Sequence, residues 1–412
     1  MARDILHSDM NSFYYSVEAM LDPSLRDKAV AVCGSVEERH GIILAKSQLA
    51  KQAGVRTGMA LWEARQLCPK LISVPPQYDQ YLKYSRLARE IYARYTDLIE
   101  PYGMDEVWCD VTDCTRPYGS ARALAESIRR SIREELGITV SIGVSFDKVF
   151  AKLGSDMKKP DAITEITPDN FRETVWPLPA SELIYVGPAT TAKLLRYGIR
   201  TIGELAAAPP EALRRWFGVN GLKLWHYANG TDDSRVCHKE FVSPVKSIGH
   251  GITCVCDLHT EEEVWKVVLE LAQDVGHRLR VHELAARGVE LSVRGGDLSG
   301  VQFQCRLPFR TQLPSELARY GFRLFRERYR WQTDVRAVCI RAIDLTPQSE
   351  EEQLSLFVDT EKRDRLARIQ DSVEEIRERF GKKAVTYAVL LGDKKMPEDG
   401  RELVRMPGLM YH

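Results

Sequence analysis

Two apolar, strand-like runs in this chain meet acids at their ends. Ile5-Leu6-His7-Ser8 closes on Asp9, and Asp105-Glu106 lead into Val107-Trp108-Cys109, a short run that ends at Asp110. Acids at strand ends converge when their strands are neighbours in one sheet, so the two runs point to a sheet with both strands side by side. Three convergent carboxylates repel one another unless cations lie between them, and hard oxygen donors of this kind suit Mg²⁺ or Mn²⁺. Two such ions about 4 Å apart can clamp the attacking and leaving oxygens of a phosphoryl transfer. Taken alone, an Asp-Glu pair beside a strand is ordinary surface charge; the rest of the chain decides against that.

The chain is 412 residues long, which predicts roughly two to four domains. Lys+Arg and Asp+Glu number 58 each, so a nucleic-acid surface would need basic residues segregated by region. The nine cysteines are an odd number and form no CxxC pair. Cys254 and Cys256 share one face of a strand and read as packing. A reducing compartment without structural disulfides or zinc is expected. Met1-Ala2-Arg3-Asp4 enters a strand with no signal-type apolar region, and no apolar run reaches the length of about 18 residues that a membrane span needs. A soluble cytoplasmic protein is expected.

Strand and helix patterns alternate through the first part of the chain. Residues 4–9 read as a strand and Asn11 to Met20 as the start of a helix. Ala29–Cys33 and Gly41–Ala45 read as buried strands. Ser47 to Ala53 reads as a helix closed by Gly54, and Gly58 through Leu67 as another. Pro75-Pro76 marks a boundary. Asp79 to Glu100 carries apolar residues at helical spacing, and Ala121 to Leu136 is an amphipathic helix closed by Gly137. Ile138–Val144 is the partner strand, and 147–158 form a helix running into Lys158-Lys159-Pro160. The pattern predicts an α/β domain with residues 11–77 inserted after its first strand. Leu178 to about Gly230 reads as helical with Gly and Pro breaks, and Phe241–Val245 as an extended linker. Residues 245–345 read as strand, helix (260–283), hairpin (287–307, turning near Gly295-Gly296), helix (313–329) and strand (335–343), a βαββαβ module. Beyond Pro347 the composition turns acidic and polar, with an Arg/Glu-rich helix near 361–380.

Several constellations carry chemistry, each beside a plainer reading. Asp9-Met10-Asn11-Ser12-Phe13-Tyr14 is a strand-to-helix turn whose amides could hold a phosphate; Phe13 and Tyr14 are otherwise core aromatics. Lys148 and Lys152, one helical turn apart, and Lys159 could neutralise a triphosphate or form a solvated basic face. Val186-Gly187-Pro188-Ala189-Thr190-Thr191-Ala192-Lys193-Leu194, followed by Tyr197-Gly198-Ile199, has the shape of a helix–hairpin–helix that could approach a DNA phosphate, with Tyr185 where a first glycine is usual. Arg294 and Arg306 flank a hairpin and could grip a duplex backbone. Gln353-Leu354-Ser355-Leu356-Phe357 places apolar residues in a polar tail and wants a groove, on a partner or on the chain itself.

In combination these segments resemble the Y-family, translesion DNA polymerases, of the bacterial UV-damage repair type. Asp9-Met10-Asn11-Ser12-Phe13-Tyr14-Tyr15-Ser16-Val17-Glu18 resembles the family's first metal motif, and Met104-Asp105-Glu106-Val107-Trp108-Cys109-Asp110-Val111-Thr112 its second. Ser141–Ser145 with Lys148–Leu153 and Ser155–Pro160 resembles its third, and Lys246-Ser247-Ile248-Gly249 the start of its little finger. Order and spacing match over roughly residues 3–345. The resemblance implies an α/β multidomain, right-hand polymerase. Its parts would be a palm (1–10 and 78–166, mixed sheet plus helices), small fingers (11–77) and a helical thumb with a helix–hairpin–helix (167–233). A linker (234–244), a βαββαβ little finger (245–345) and a tail with a clamp-binding motif (346–412) would follow.

The resemblance also implies roles. Asp9, Asp105 and Glu106 would hold two Mg²⁺ ions, with Mn²⁺ able to substitute and the Met10 carbonyl helping. Tyr14 would be the steric gate against a ribonucleotide 2′-OH. The Ser12 and Phe13 amides and Lys159 would touch the triphosphate. Gly187, Pro188, Ala189, Thr190 and Ala192 would contact primer-side DNA, and Gln353–Phe357 would bind a sliding clamp. Primer–template DNA and a dNTP are the implied substrates, and a monomer is expected. Three positions depart from the family pattern. Gln48 and Lys51 stand where a triphosphate-binding Tyr and Arg are usual, and Lys lacks the bidentate fork. Gly103 stands where a serine is usual. Two other readings are a catalytically silent, clamp-tethered subunit of a mutagenesis complex and a nucleotidyl cyclase, whose catalytic domain shares the palm-type layout.

Overall fold

The computed structural model describes residues 3–37, 39, 41–350 and 359–397. Gln353–Phe357 lie outside the described residues. Apart from the loop 35–41, the described chain divides into one compact unit up to Ser243 and a second from Pro244 onward.

The first unit begins with β1 (Ile5–Met10), α1 (Phe13–Leu21), β2 (Val30–Cys33), β3 (Ile43–Lys46), α2 (Gln48–Gln52), α3 (Leu61–Leu67) and β4 (Ile72–Val74). It continues with α4 (Tyr78–Tyr92), β5 (Ile99–Tyr102), β6 (Glu106–Asp110), α5 (Ala121–Leu136), β7 (Val140–Ser145), α6 (Lys148–Met157) and β8 (Ile163–Ile166). It ends with α7 (Phe171–Thr174), α8 (Pro188–Arg196), α9 (Ile202–Ala207), α10 (Pro210–Phe217) and α11 (Val219–Ala228).

The central sheet runs β5-β6-β1-β7-β8. β1 lies at its middle, antiparallel to both β6 and β7, in a register that sets Asp9 opposite Glu106. All six β1 residues are buried, because helices cover one side with Val17, Ile91, Leu124, Ile128 and Ile132 while α6 packs on β1 and β7. The apolar spacing of 79–100 predicted one helix; α4 stops at Tyr92, and Ile99–Tyr102 form the edge strand β5 instead. Pro101 lies in that strand, a position tolerated at a sheet edge because no ladder N–H is missed there.

A smaller sheet, β3-β2-β4, has its own core of Ala31, Ile43, Ala50, Leu61 and Leu71. α1 packs against β2 and β3, and its Phe13 and Val17 join the central core. Ser47 caps α2 by accepting from Ala50 N. The helical segment gathers Leu194, Ile202, Leu213 and Leu224 around Phe150 of α6. Its hairpin before α8 begins with only a 3₁₀ turn, Ala180–Glu182, between proline breaks. Tyr185 there takes φ 69°, the left-handed conformation a glycine would favour. Arg3 donates to the carbonyls of Asp232 and Ser234, and Val236 packs beside Ile5 and Trp108, so the start of the linker is bound to the first unit.

The second unit comprises β9 (Ile248–Leu258), α12 (Glu261–Val281), β10 (Leu284–Gly295), β11 (Gly300–Thr311), α13 (Pro314–Arg328), β12 (Val335–Pro347) and α14 (Thr360–Phe380). The expected βαββαβ order is present, with sheet order β11-β10-β12-β9. The segment after 358 is folded onto this module. His277 Nδ1 lies 2.6 Å from Glu374 Oε2, and Lys394 Nζ lies 3.1 Å from Glu270 Oε2. Leu390 and Met396 enter the module's core, and Val255 N donates to Lys395 O at 3.0 Å, covering part of the edge strand β9.

Candidate active site

The site forms where β1 and β6 end beside α6. Met10 N donates to Asp105 O at 2.9 Å, which ties the turn before β6 to the end of β1. Asp147 caps α6 by accepting from Phe150 N at 2.7 Å, the helix then carries Lys152, Ser155 and Asp156 toward the acids, and Lys159 follows just past its end. Lys152 Nζ lies 2.9 Å from Glu106 Oε2, 3.6 Å from Asp9 Oδ2 and 3.1 Å from Asp156 Oδ2. Lys159 Nζ lies 2.6 Å from Asp9 Oδ2 and 2.7 Å from Asp156 Oδ1. His7, fully buried, places Nε2 3.3 Å from Glu106 Oε2 and Nδ1 2.8 Å from Ser155 Oγ.

The electrostatics follow from burial and crowding. Burial pushes the Asp105 carboxyl up to about 7, helped by the charges of Asp9 and Glu106. Asp9 is pushed up by burial and by Glu106, against the pull of both lysines. Burial acts the same way on Glu106, but His7 and Lys152 outweigh it and hold this carboxyl below the usual range. Glu106 is therefore the settled anion, Asp9 is held by the two lysines against burial, and Asp105 is the acid that a nearby cation would ionise. Among the described residues no three His, Cys, Asp or Glu side chains are drawn together tightly enough to hold a metal ion; the two lysines supply the counter-charge. The donor set fits a hard divalent cation, since it offers carboxylate oxygens that mutual repulsion leaves under-neutralised.

Other expected residues fall as follows. Ser12 takes φ 47° at the start of α1, and the Ser12 and Phe13 amides have no partner among the described residues. Tyr14 stacks on Tyr81 at 4.2 Å with the rings 7° apart, and Tyr78 meets it edge-on. Tyr81 in turn donates to the buried Glu18, which also accepts from Gln77 Nε2 at 2.7 Å. Gln48 and Lys51 are exposed on α2, one turn apart. Gly103 has φ 82°, a conformation that costs a serine more than a glycine. Lys148 is not at the acids: it pairs with Glu100 at 2.6 Å and lies over the Trp108 ring. Gly187, Pro188, Ala189 and Ala192 are exposed and Thr190 half-buried at the start of α8. Arg294 and Arg306 are exposed; the register pairs Arg294 with Gly300 and Arg306 with Gly288, which puts both on one face of the sheet.

Sequence reasoning missed His7, Ser155, Asp156 and the Tyr81–Glu18 support of Tyr14. A signal existed for the first three. His7 shares a strand face with Asp9, two residues on, while Ser155, Asp156 and Lys159 follow Lys152 at helical spacing.

Two family models of one family match this chain: the impB/mucB/samB family over residues 8–156, and its C-terminal domain over residues 245–356. The chain belongs to this family, the Y-family DNA polymerases. It is 45% identical over 394 residues to DNA polymerase IV of Acetivibrio thermocellus, covering 96% of this chain and 99% of that protein. It is 37% identical over 402 residues to DNA polymerase IV 1 of Bacillus subtilis, covering 97% and 96%. A solved Y-family DNA polymerase chimera, Dbh-Dpo4(243-245)-Dbh, shares the fold with a TM-score of 0.72 at 21% identity, covering 84% of this chain and 99% of that one.

Proposed function

We propose that this chain is a template-directed, low-fidelity DNA polymerase of translesion synthesis, joining a dNTP to a primer 3′-OH with release of pyrophosphate. The observation that carries this reading is the register that sets Asp9 opposite Glu106, with Asp105 next in the chain tied to Met10 through its backbone and Lys152 and Lys159 in contact with Glu106 and Asp9. Asp9, Asp105, Glu106 and the Met10 carbonyl would hold two Mg²⁺ ions, which when bound lower the 3′-OH pKa and steady the leaving group. Lys159 and the free amides of Ser12 and Phe13 would orient the triphosphate, and Gln48 and Lys51 would add weaker contacts from α2. Tyr14, braced by Tyr81, would stand against a 2′-OH. Gly187–Ala192, Arg294 and Arg306 would hold the duplex backbone, and Gln353–Phe357 would tether the enzyme to a sliding clamp. A cytoplasmic, nucleoid-associated monomer follows from this reading; no described helix is long and apolar enough to cross a membrane.

Primer extension on undamaged template with Mg²⁺ and four dNTPs tests it, comparing wild type with Asp105→Ala/Glu106→Ala. Extension by wild type alone is expected. Equal extension by both would remove the site, and none by either, with DNA binding intact, would favour a silent clamp-tethered subunit.

A further inference from the structure

We propose that Glu18 is a positioning residue for sugar selection: its buried carboxyl anchors the Tyr81 hydroxyl, Tyr81 backs the Tyr14 ring, and the firmness of that chain sets how strongly the site refuses a ribonucleotide. This rests on the reading of Tyr14 as the gate against a 2′-OH.

A ring excludes a hydroxyl only as far as it cannot move aside. Tyr14 lies in the first turn of α1 with one face on Tyr81, stacked at 4.2 Å with the planes 7° apart. Tyr81 is 0% exposed, and Tyr78 and Phe13 border it with ring centroids at 5.8 and 6.1 Å. Offset stacking tolerates a range of centroid positions, so these contacts press on the Tyr81 ring without fixing where it lies in its own plane. The hydroxyl fixes that. Tyr81 Oη donates to Glu18 Oε1, and Gln77 Nε2 donates to Glu18 Oε2 at 2.7 Å.

Glu18 follows Tyr14 by four residues in α1 and so shares its face. Tyr81 lies in α4, and Gln77 immediately precedes that helix. The links close a ring: Tyr14 to Glu18 through the backbone of α1, Glu18 to Tyr81 through a hydrogen bond, and Tyr81 back to Tyr14 through the stack. Gate and anchor ride on one helix, so the backing ring is held in register with the gate itself.

Packing alone does not account for an acid here. Glu18 is 4% exposed, and no ion pair reaches it among the described residues. A buried carboxyl held by neutral donors joins two helices less favourably than a leucine would. What the carboxyl supplies, and leucine lacks, is two acceptors set at fixed positions, one for each donor.

The test measures single-nucleotide incorporation by the full-length protein, with rate and Kd taken separately for a dNTP and the matching NTP, and the melting temperature beside them. The variants are Glu18→Leu, Glu18→Gln, Tyr81→Phe, Tyr14→Ala and Tyr14→Ala/Glu18→Leu. A hydrogen bond of this kind is worth roughly 3–10-fold, so Glu18→Leu and Tyr81→Phe should each lower the dNTP-to-NTP ratio by about that much, with NTP incorporation rising. Glu18→Gln should keep the wild-type ratio, because its amide oxygen accepts from Tyr81 and its nitrogen meets a turned-over Gln77 side chain. In the Tyr14→Ala background, Glu18→Leu should add no further loss.

A folded Glu18→Leu or Tyr81→Phe with the wild-type ratio would overturn the proposal, as would a ratio lost as fully in Glu18→Gln as in Glu18→Leu. So would dNTP and NTP incorporation falling together with the melting temperature, the mark of a role in packing alone. If Glu18→Leu fails to fold, Tyr81→Phe, which removes a single oxygen, decides. An unchanged ratio in Tyr14→Ala would refute the gate reading and the proposal with it, whereas a permissive Tyr14→Ala beside a fully selective Glu18→Leu would refute the proposal alone.

Discussion

Substituting Gly143 by alanine should cripple the site from a distance. Gly143 sits in β7 opposite His7, under α6. An ideal Cβ there would lie 1.9 Å from Ala151 O and 2.6 Å from Ser155 N, both backbone atoms of α6. Ordinary contact begins near 3.4 Å, so the helix must retreat by roughly 1.5 Å, and backbone cannot yield as a flexible side chain would. Overpacking of this kind costs about 1–3 kcal/mol, and a main-chain clash belongs at the upper end. The same retreat moves Lys152, Ser155 and Asp156. Their contacts, 2.9 Å from Lys152 to Glu106 and 2.8 Å from Ser155 to His7, do not survive such a shift. A misplacement of about 1 Å is worth roughly 10²-fold in rate.

Gly154, one turn along the same helix, supplies the control. Its Cβ would meet Gly143 Cα at 3.2 Å and Thr164 O at 3.4 Å, which asks for a few tenths of an ångström. Alanine in a helix interior is favoured over glycine by about 1 kcal/mol, so Gly154→Ala should be near neutral. Thermal unfolding and single-nucleotide incorporation measured on both variants check this. Wild-type melting and rate in Gly143→Ala would refute the reasoning, as would equal damage from Gly154→Ala.

Three further outcomes are expected. Asp147 is buried, and burial raises its carboxyl to about 7 from an ordinary 3.8, with Oδ2 unpartnered among the described residues. Folding therefore takes up a proton between those values, and stability falls as pH rises through that window, by at most roughly 4 kcal/mol; Asp147→Asn, which keeps a capping oxygen, should flatten that slope in unfolding experiments run from pH 4 to 8, and a slope unchanged would exclude Asp147 as its source. Tyr14→Ala should lower discrimination against ribonucleotides by roughly 10²-fold or more, read as the ratio of dNTP to NTP incorporation; an unchanged ratio would remove the gate assignment. Deleting Gln353–Phe357 should abolish stimulation by the sliding clamp and spare basal incorporation, and equal stimulation of the deleted protein would place clamp contact elsewhere.

The acids were legible because each stands at the end of an apolar run, and the register Asp9 opposite Glu106 follows once those runs pair. The βαββαβ module was legible because its strands and helices are long, eleven to thirteen and fifteen to twenty-one residues. β4 and β8, of three and four residues, are too short to show alternation, and β5 was hidden because Leu98 and Ile99 continue the helical spacing of α4. The partners of the acids were hidden for another reason: His7 and Ser155 are 148 residues apart and meet only through tertiary packing. The Arg/Glu-rich pattern of α14 showed a helix but not its docking: Glu374 and Arg377 face His277 and Gln273 of α12.

This division bears on the departures from the family pattern. Gln48 and Lys51 lie exposed on α2, whose Ala50 packs into the small separate core, and no bond joins them to the acids among the described residues. On the proposed reading, lacking an arginine fork there would weaken a contact to the nucleotide and leave the carboxylates untouched. Lys152, Asp156 and Lys159 are in direct contact with Asp9 and Glu106 or with each other, and they reach that position because Gly143 lets α6 lie against β7. Changes in α2 should therefore appear in the dNTP Kd, and changes in α6 or Gly143 in the rate of the chemical step.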